Sequence, residues 1–184
     1  LFAAIVFEGS LLDPVKFGLV SQAVKIFCIL TSSVYLTNDV IDIKRDQLHP
    51  FKRKRPVASG QISRTAALSF ALSGLMLALI WSYALSIYFT MAILGYAFLQ
   101  VAYSLLLKKI ILLDVMAIAT GFLLRVYAGA LIINAHVTVW FLLAVVSLSL
   151  FLAVGKRQSE RTLLLGGQIQ NVRSILLKYP PALL

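Results

Sequence analysis

The chain has 184 residues, 60% of them hydrophobic and 13% charged, with a mean hydropathy of +0.93. Soluble domains run about 45–50% apolar and about 25% charged, so this composition excludes a disordered tail, argues against a water-soluble globule and points to a membrane. A net charge of +10 would suggest nucleic acid in a soluble protein. Here the cations lie in the few hydrophilic breaks, where the positive-inside rule accounts for them, and no nucleic-acid partner is expected.

In chain order, residues 1–7 begin apolar, with neither an initiator Met nor the n-region of a secretory signal. They read as the end of a partial N-terminal helix in a fragment of a longer protein. A membrane-spanning helix needs about 20 mostly apolar residues. Five stretches qualify, at about 15–44, 65–85, 87–107, 111–133 and 139–155. The expected architecture is all-α, a polytopic transmembrane helix bundle forming one membrane domain over 1–184. The remainder, 156–184, is polar to Arg173 and then Leu-rich. Fourteen of the 17 basic residues fall in the first loop, in Lys108-Lys109 and after the fifth span. An alternating path puts these three segments on one side of the membrane, taken as the cytoplasmic side of the inner or plasma membrane.

Five of the seven acids lie on that same basic side. On one continuous helix, with Asn38 at zero, Asp42 falls at about 40°, Asp46 at about 80° and Asp39 at about 100°, with Tyr35 above them at about 60°. Like charges so spaced repel, and a hard divalent cation such as Mg²⁺ relieves the repulsion while keeping positions for water and substrate phosphates. The plainer reading is a solvated helix end whose acids pair with the next loop. That loop, Lys52-Arg53-Lys54-Arg55 between prolines, serves by itself as a topology signal or a contact with anionic lipid. Beside a carboxylate face, its cations also suit the phosphate oxygens that a metal leaves uncovered. Together these features favour a metal–diphosphate site.

Arg125 lies mid-span, where a charge costs about 2.5 kcal/mol or more. Asp114 is eleven residues earlier, about 20° away around the helix, and Gly121 shares that face. Either a buried ion pair with a partner on another helix or a cavity residue facing an anionic substrate would explain the arginine. Lys156-Arg157 and Glu160 emerge on the aspartate side, as a membrane anchor or a second wall of the site. His49, His136 and the lone Cys28 have no partners at metal-ligand spacing.

The run Tyr35-Leu36-Thr37-Asn38-Asp39-Val40-Ile41-Asp42, with Asp46, His49-Pro50, Lys52-Arg53, Arg55-Pro56 and Ala58-Ser59-Gly60, resembles the UbiA superfamily of intramembrane prenyltransferases. Gly121-Phe122-Leu123-Leu124-Arg125 with Ala128-Gly129, Trp140-Phe141-Leu142-Leu143, and Gly155-Lys156-Arg157 with Glu160 resemble its decaprenyl-phosphate phosphoribosyltransferase branch. The resemblance implies a bundle of transmembrane helices around a cavity open to the cytoplasm, with the last helices of the family fold beyond this chain. It also implies a transferase that moves the 5-phosphoribosyl group of phosphoribosyl pyrophosphate to a polyprenyl phosphate, for lipid-linked pentose in cell-envelope synthesis. Ordinary members use two aspartate-rich motifs, and the second should follow the fifth span. Lys156, Arg157 and Glu160 stand there instead, as in the phosphoribosyl branch.

On that basis Asn38, Asp39, Asp42 and Asp46 are expected to hold Mg²⁺, the three aspartates as catalytic residues. Tyr35, Lys52, Arg53, Arg55, Arg125, Lys156, Arg157 and Glu160 are expected to bind substrate. Membrane lipids are partners, and a homo-oligomer is compatible with the sequence. The competing readings are an aromatic prenyltransferase using a prenyl diphosphate and a cation-binding transporter or scaffold.

Overall fold

The computed structural model describes residues 1–48 and 51–165, with the side chains of Lys109, Ile111 and residues 160–165 left out. Among the described residues there are seven α-helices, two 3₁₀ turns and no strand. The order is α1 (Phe2–Phe7), α2 (Pro14–Ile41), α3 (Ile43–Leu48), α4 (Arg64–Leu85), α5 (Ile87–Leu105), α6 (Ile111–Ile132) and α7 (Val139–Leu165). The 3₁₀ turns, Lys52–Lys54 and Leu107–Lys109, lie in the basic loop and between α5 and α6. Five helices are long and apolar enough to cross a membrane.

Local signals set the helix ends. Asp13 caps α2 by accepting from the backbone N–H of Val15 (2.9 Å) and Lys16 (3.2 Å), and Pro14 occupies the first turn, where its missing N–H costs nothing. Ser63 caps α4 through Ala66 N–H at 3.2 Å. Ser86 ends α4 and starts α5 in one extended residue, which turns the chain without a loop. Asn134 takes a positive φ of 52° just past α6, a backbone region that asparagine tolerates better than most residues.

Two boundaries differ from the sequence expectation. The first long helix is not continuous to residue 44: it stops at Ile41, Asp42 leaves helical geometry (φ −90°, ψ 8°), and α3 restarts at Ile43. Helix α7 does not end with the apolar stretch at residue 155 and carries the Lys156–Glu160 segment as helix to Leu165. Hydropathy marks where a helix leaves the apolar phase, whereas backbone hydrogen bonding decides where it ends.

Helix α2 packs along α4, α5 along both α4 and α6, and α6 along α7, with α1 against α6. The main core is built from Val20, Ile26, Phe27 and Leu30 of α2, Ala78 of α4, Phe89, Ile93 and Tyr96 of α5, and Ala128 and Ile132 of α6. Phe70, Phe98, Trp140 and Phe151 point outward and stay exposed, as suits helices whose outer faces meet lipid.

The α2–α4 contact closes on Gly74, where an added Cβ would run into Ser33 Oγ. Gly74→Val is therefore expected to destabilise the bundle by about 1–3 kcal/mol, read as a lower thermal midpoint in detergent. Ser33→Ala in that background should recover part of the loss. An unchanged midpoint in Gly74→Val would contradict this packing.

Candidate active site

The polar end of the bundle gathers side chains from α2, α3, the basic loop, and the α5–α6 corner. The basic loop folds back because Val57, with Ile43 and Ala67, forms a small core of its own, flanked by Val40 and Ile62. Gln47 fastens the loop by donating to the Ala58 carbonyl at 3.3 Å. Gly60, at φ +80°, lies at the exit of this segment. This packing holds Arg55 over the acids: its Nη1 lies 2.6 Å from Asp39 Oδ1 and 2.9 Å from Asp46 Oδ2. Asp46 is buried.

The break at Asp42 divides the acids. Asp39 and Asp46 share Arg55, while Asp42 Oδ2 accepts from Lys108 Nζ at 3.0 Å and Asp42 Oδ1 lies 3.9 Å from Arg45 Nη1. Ser104 Oγ donates to Asn38 Oδ1 at 2.5 Å. The single face expected of a straight helix is thus two carboxylate–cation groups with Asn38 between α2 and α5. Repulsion among the acids is relieved because Arg55 sits between Asp39 and Asp46 and Lys108 pairs with Asp42. Tyr35 lies one turn before them on α2 and is exposed.

Among the described residues, no three His, Cys, Asp or Glu side chains converge closely enough to hold a metal ion. Mg²⁺ ordinarily takes one or two carboxylates, with water and substrate phosphates supplying the rest. Asp39 and Asp46 present two carboxylate oxygens to one point, where a cationic nitrogen already sits. A hard-oxygen donor set around a position that carries positive charge fits this metal. Asn38 Oδ1 and Asp42 Oδ2 are engaged separately, by Ser104 and Lys108.

The remaining expected site residues fall into three groups. Lys52 is half-buried, while Arg53 and Lys156 are exposed to solvent. Arg157 is buried and committed elsewhere: its Nη2 donates to Asp114 Oδ1 (3.0 Å) and Tyr103 Oη (3.1 Å), and Tyr103 Oη donates to Asp114 Oδ1 at 2.9 Å. Glu160 lies on α7, with its side chain outside the described residues, and His49 lies outside them altogether.

Arg125 is not paired with Asp114. It donates to the Tyr96 hydroxyl, and its guanidinium carbon lies 5.0 Å from the centroid of the Tyr96 ring and 5.6 Å from that of Phe122. Such stacking contributes about 0.5–2 kcal/mol, against a mid-membrane cost of about 2.5–3.5 kcal/mol on the most lenient scale. The Nε–H is buried without a hydrogen-bond partner, and no described carboxylate lies within ion-pair distance of Arg125.

Lys108, Ser104, Tyr103, Gln100 and Tyr96 were not among the residues expected from sequence. Lys108 reads there only as a topology signal. Tyr96, Gln100 and Ser104 carried a usable sign, because they recur every fourth residue in an otherwise apolar helix and so share one face.

Residues 1–158 match the UbiA prenyltransferase family. The chain belongs to that family and is an integral membrane protein. It is 38% identical over 143 residues to the decaprenyl-phosphate phosphoribosyltransferase of Mycolicibacterium smegmatis, covering 77% of this chain and 44% of that protein. It is 33% identical over 141 residues to the decaprenyl-phosphate phosphoribosyltransferase of Mycobacterium tuberculosis, covering 77% and 47%. The chain therefore spans less than half the length of these curated relatives. Its fold matches a UbiA homolog from Archaeoglobus fulgidus, solved bound to DMAPP and Mg²⁺, with a TM-score of 0.68 at 24% identity over 74% of this chain and 50% of that one.

Proposed function

We propose that the protein carrying this chain transfers the 5-phosphoribosyl group of phosphoribosyl pyrophosphate to a polyprenyl phosphate, releasing diphosphate, with Mg²⁺ as cofactor. The observation that carries this reading is the interleaving of acids and cations at one corner of the bundle, Arg55 between Asp39 and Asp46 and Lys108 on Asp42. The phosphoribosyltransferase names of the two mycobacterial relatives support it. The positive-inside bias of the basic segments supports a cytoplasmic side for this corner, where a water-soluble phosphoribosyl donor is available.

Asn38, Asp39, Asp42 and Asp46 would hold Mg²⁺. The ion, when bound, would neutralise the diphosphate and stabilise its departure. Arg55 and Lys108 neutralise the acids here, and with Mg²⁺ on the carboxylates they would be available to hold the diphosphate oxygens. Lys52 and Arg53, in the same basic loop as Arg55, would serve the remaining phosphate charge, with Lys156 as a further exposed cation. Tyr35, exposed one turn before Asn38, is placed to orient the lipid phosphate as it enters from the bilayer. An oxygen of that phosphate forms the new bond to ribose C1 as the bond from C1 to the diphosphate oxygen breaks. The attacking phosphate is largely ionised near neutral pH, so no general base is needed. Arg157, held by Asp114 and Tyr103, positions the ends of α5, α6 and α7 rather than touching phosphate.

The test uses membranes containing the full-length protein and Mg²⁺. Label from phosphoribosyl pyrophosphate should enter the lipid phase only when polyprenyl phosphate is added, and EDTA should abolish the transfer. Label entering instead from a prenyl diphosphate onto 4-hydroxybenzoate would replace this reading with that of an aromatic prenyltransferase. Cation flux with neither transfer would point to a transporter.

A further inference from the structure

A polar stripe runs down α5 from the acid cluster into the apolar bundle. Ser104, bonded to Asn38, is at its top; Gln100 is one turn deeper and Tyr96 two turns deeper, all within about 80° of the helix circumference. Gln100 Nε2 donates to the Tyr96 hydroxyl at 2.6 Å, and Arg125 of α6 donates to the same oxygen. Tyr96 is fully buried, with its ring edge-on to Phe27, so the phenol is a fixed post. Arg125 ends the stripe with a buried, unpartnered Nε–H, and among the described residues no carboxylate pairs with it.

The stripe is of a length that a ligand can span. Eight residues separate Ser104 from Tyr96, a rise of about 12 Å, comparable to a ribose ring with a phosphorylated arm on each side. A prenyl diphosphate reaching down from the same acid cluster would lay hydrocarbon along this polar stripe and leave the Arg125 Nε–H without a partner. A phosphorylated sugar would meet polar groups along its length and end on an unbalanced cation.

We infer that Arg125, held by Tyr96 and flanked by Gln100, binds the 5-phosphate of the phosphoribosyl donor, and that this stripe selects a phosphorylated sugar over a prenyl chain. The inference rests on the phosphoribosyl reading above and adds where the far end of the donor lies. Tyr96 acts as a positioning residue, fixing the guanidinium plane by stacking and by its hydroxyl. Arg125 sets specificity and takes no part in breaking the bond to diphosphate, which lies at the other end of the stripe.

The experiment measures inhibition of phosphoribosyl transfer by two halves of the donor, ribose 5-phosphate and inorganic pyrophosphate, in the full-length protein. Arg125→Gln is expected to raise the KM for phosphoribosyl pyrophosphate and the inhibition constant of ribose 5-phosphate by at least about tenfold, as loss of a charged hydrogen bond does. The inhibition constant of pyrophosphate should stay within about twofold of wild type, since Arg125 is outside its reach. Arg125→Lys, which keeps the charge and loses the planar fork, should fall between the two proteins. Gln100→Leu should weaken ribose 5-phosphate selectively and to a smaller degree, and it supplies the test if Arg125→Gln does not fold. Equal shifts for both inhibitors, or none for ribose 5-phosphate, would overturn the inference while leaving the proposed reaction standing. If the wild-type protein neither binds nor transfers from phosphoribosyl pyrophosphate, the proposed reaction fails first and the inference with it.

Discussion

Asp42→Asn is expected to lower turnover by at least about a hundredfold, the scale on which a preorganised electrostatic contact to a reacting group acts. Asp42 stands at the break between α2 and α3, and its carboxylate meets Lys108 from the α5–α6 corner. It thereby joins the two walls of the proposed site, and asparagine removes the charge while keeping the shape. The amide oxygen can still accept from Lys108, so the fold should lose no more than about 1–2 kcal/mol. Steady-state transfer at saturating donor and a thermal midpoint in detergent separate the two effects. Turnover within about threefold of wild type, on a scale where tenfold is about 1.4 kcal/mol, would take Asp42 out of the site.

Arg157→Met is expected to give the largest stability loss of any substitution near the polar end, about 3–5 kcal/mol, because it strands a buried carboxylate without its cation. Arg157 and Asp114 expose 2% and 1% of their side chains, and Tyr103 closes the group by bonding both. The double variant Asp114→Leu/Arg157→Met should recover part of the loss, since neither charge is then buried without the other, while Tyr103 loses its bonds to both. Lys156→Met, one residue away but exposed, should stay within about 0.5 kcal/mol of wild type. Reversible unfolding in detergent measures all three. A single-variant loss no greater than that of Lys156→Met would contradict a buried pair.

The contrast between Lys156 and Arg157 shows where reading from sequence stops. Both follow the last apolar run and look alike as a basic anchor. Only the path of α7 as continuous helix past residue 155 turns one outward and carries the other in to Asp114. The same holds for Asp114 and Arg125. Helical period places them on one face, yet each finds its partner on another helix, Arg157 for the first and Tyr96 for the second. The period describes one helix, whereas a charge inside a bundle is satisfied by whichever neighbour packs there.

The membrane class, the five apolar stretches, the clustering of acids and cations on one side, and the motif around Asn38–Asp46 all follow from sequence. Each depends on local composition or on a repeat within a single helix. Which cation meets which acid was decided by tertiary structure. Asp42 and Lys108 are 66 residues apart, and Asp114 and Arg157 are 43 apart. Such partners are chosen by the order in which helices pack and by the break at Asp42, neither of which is encoded in the spacing of neighbouring residues.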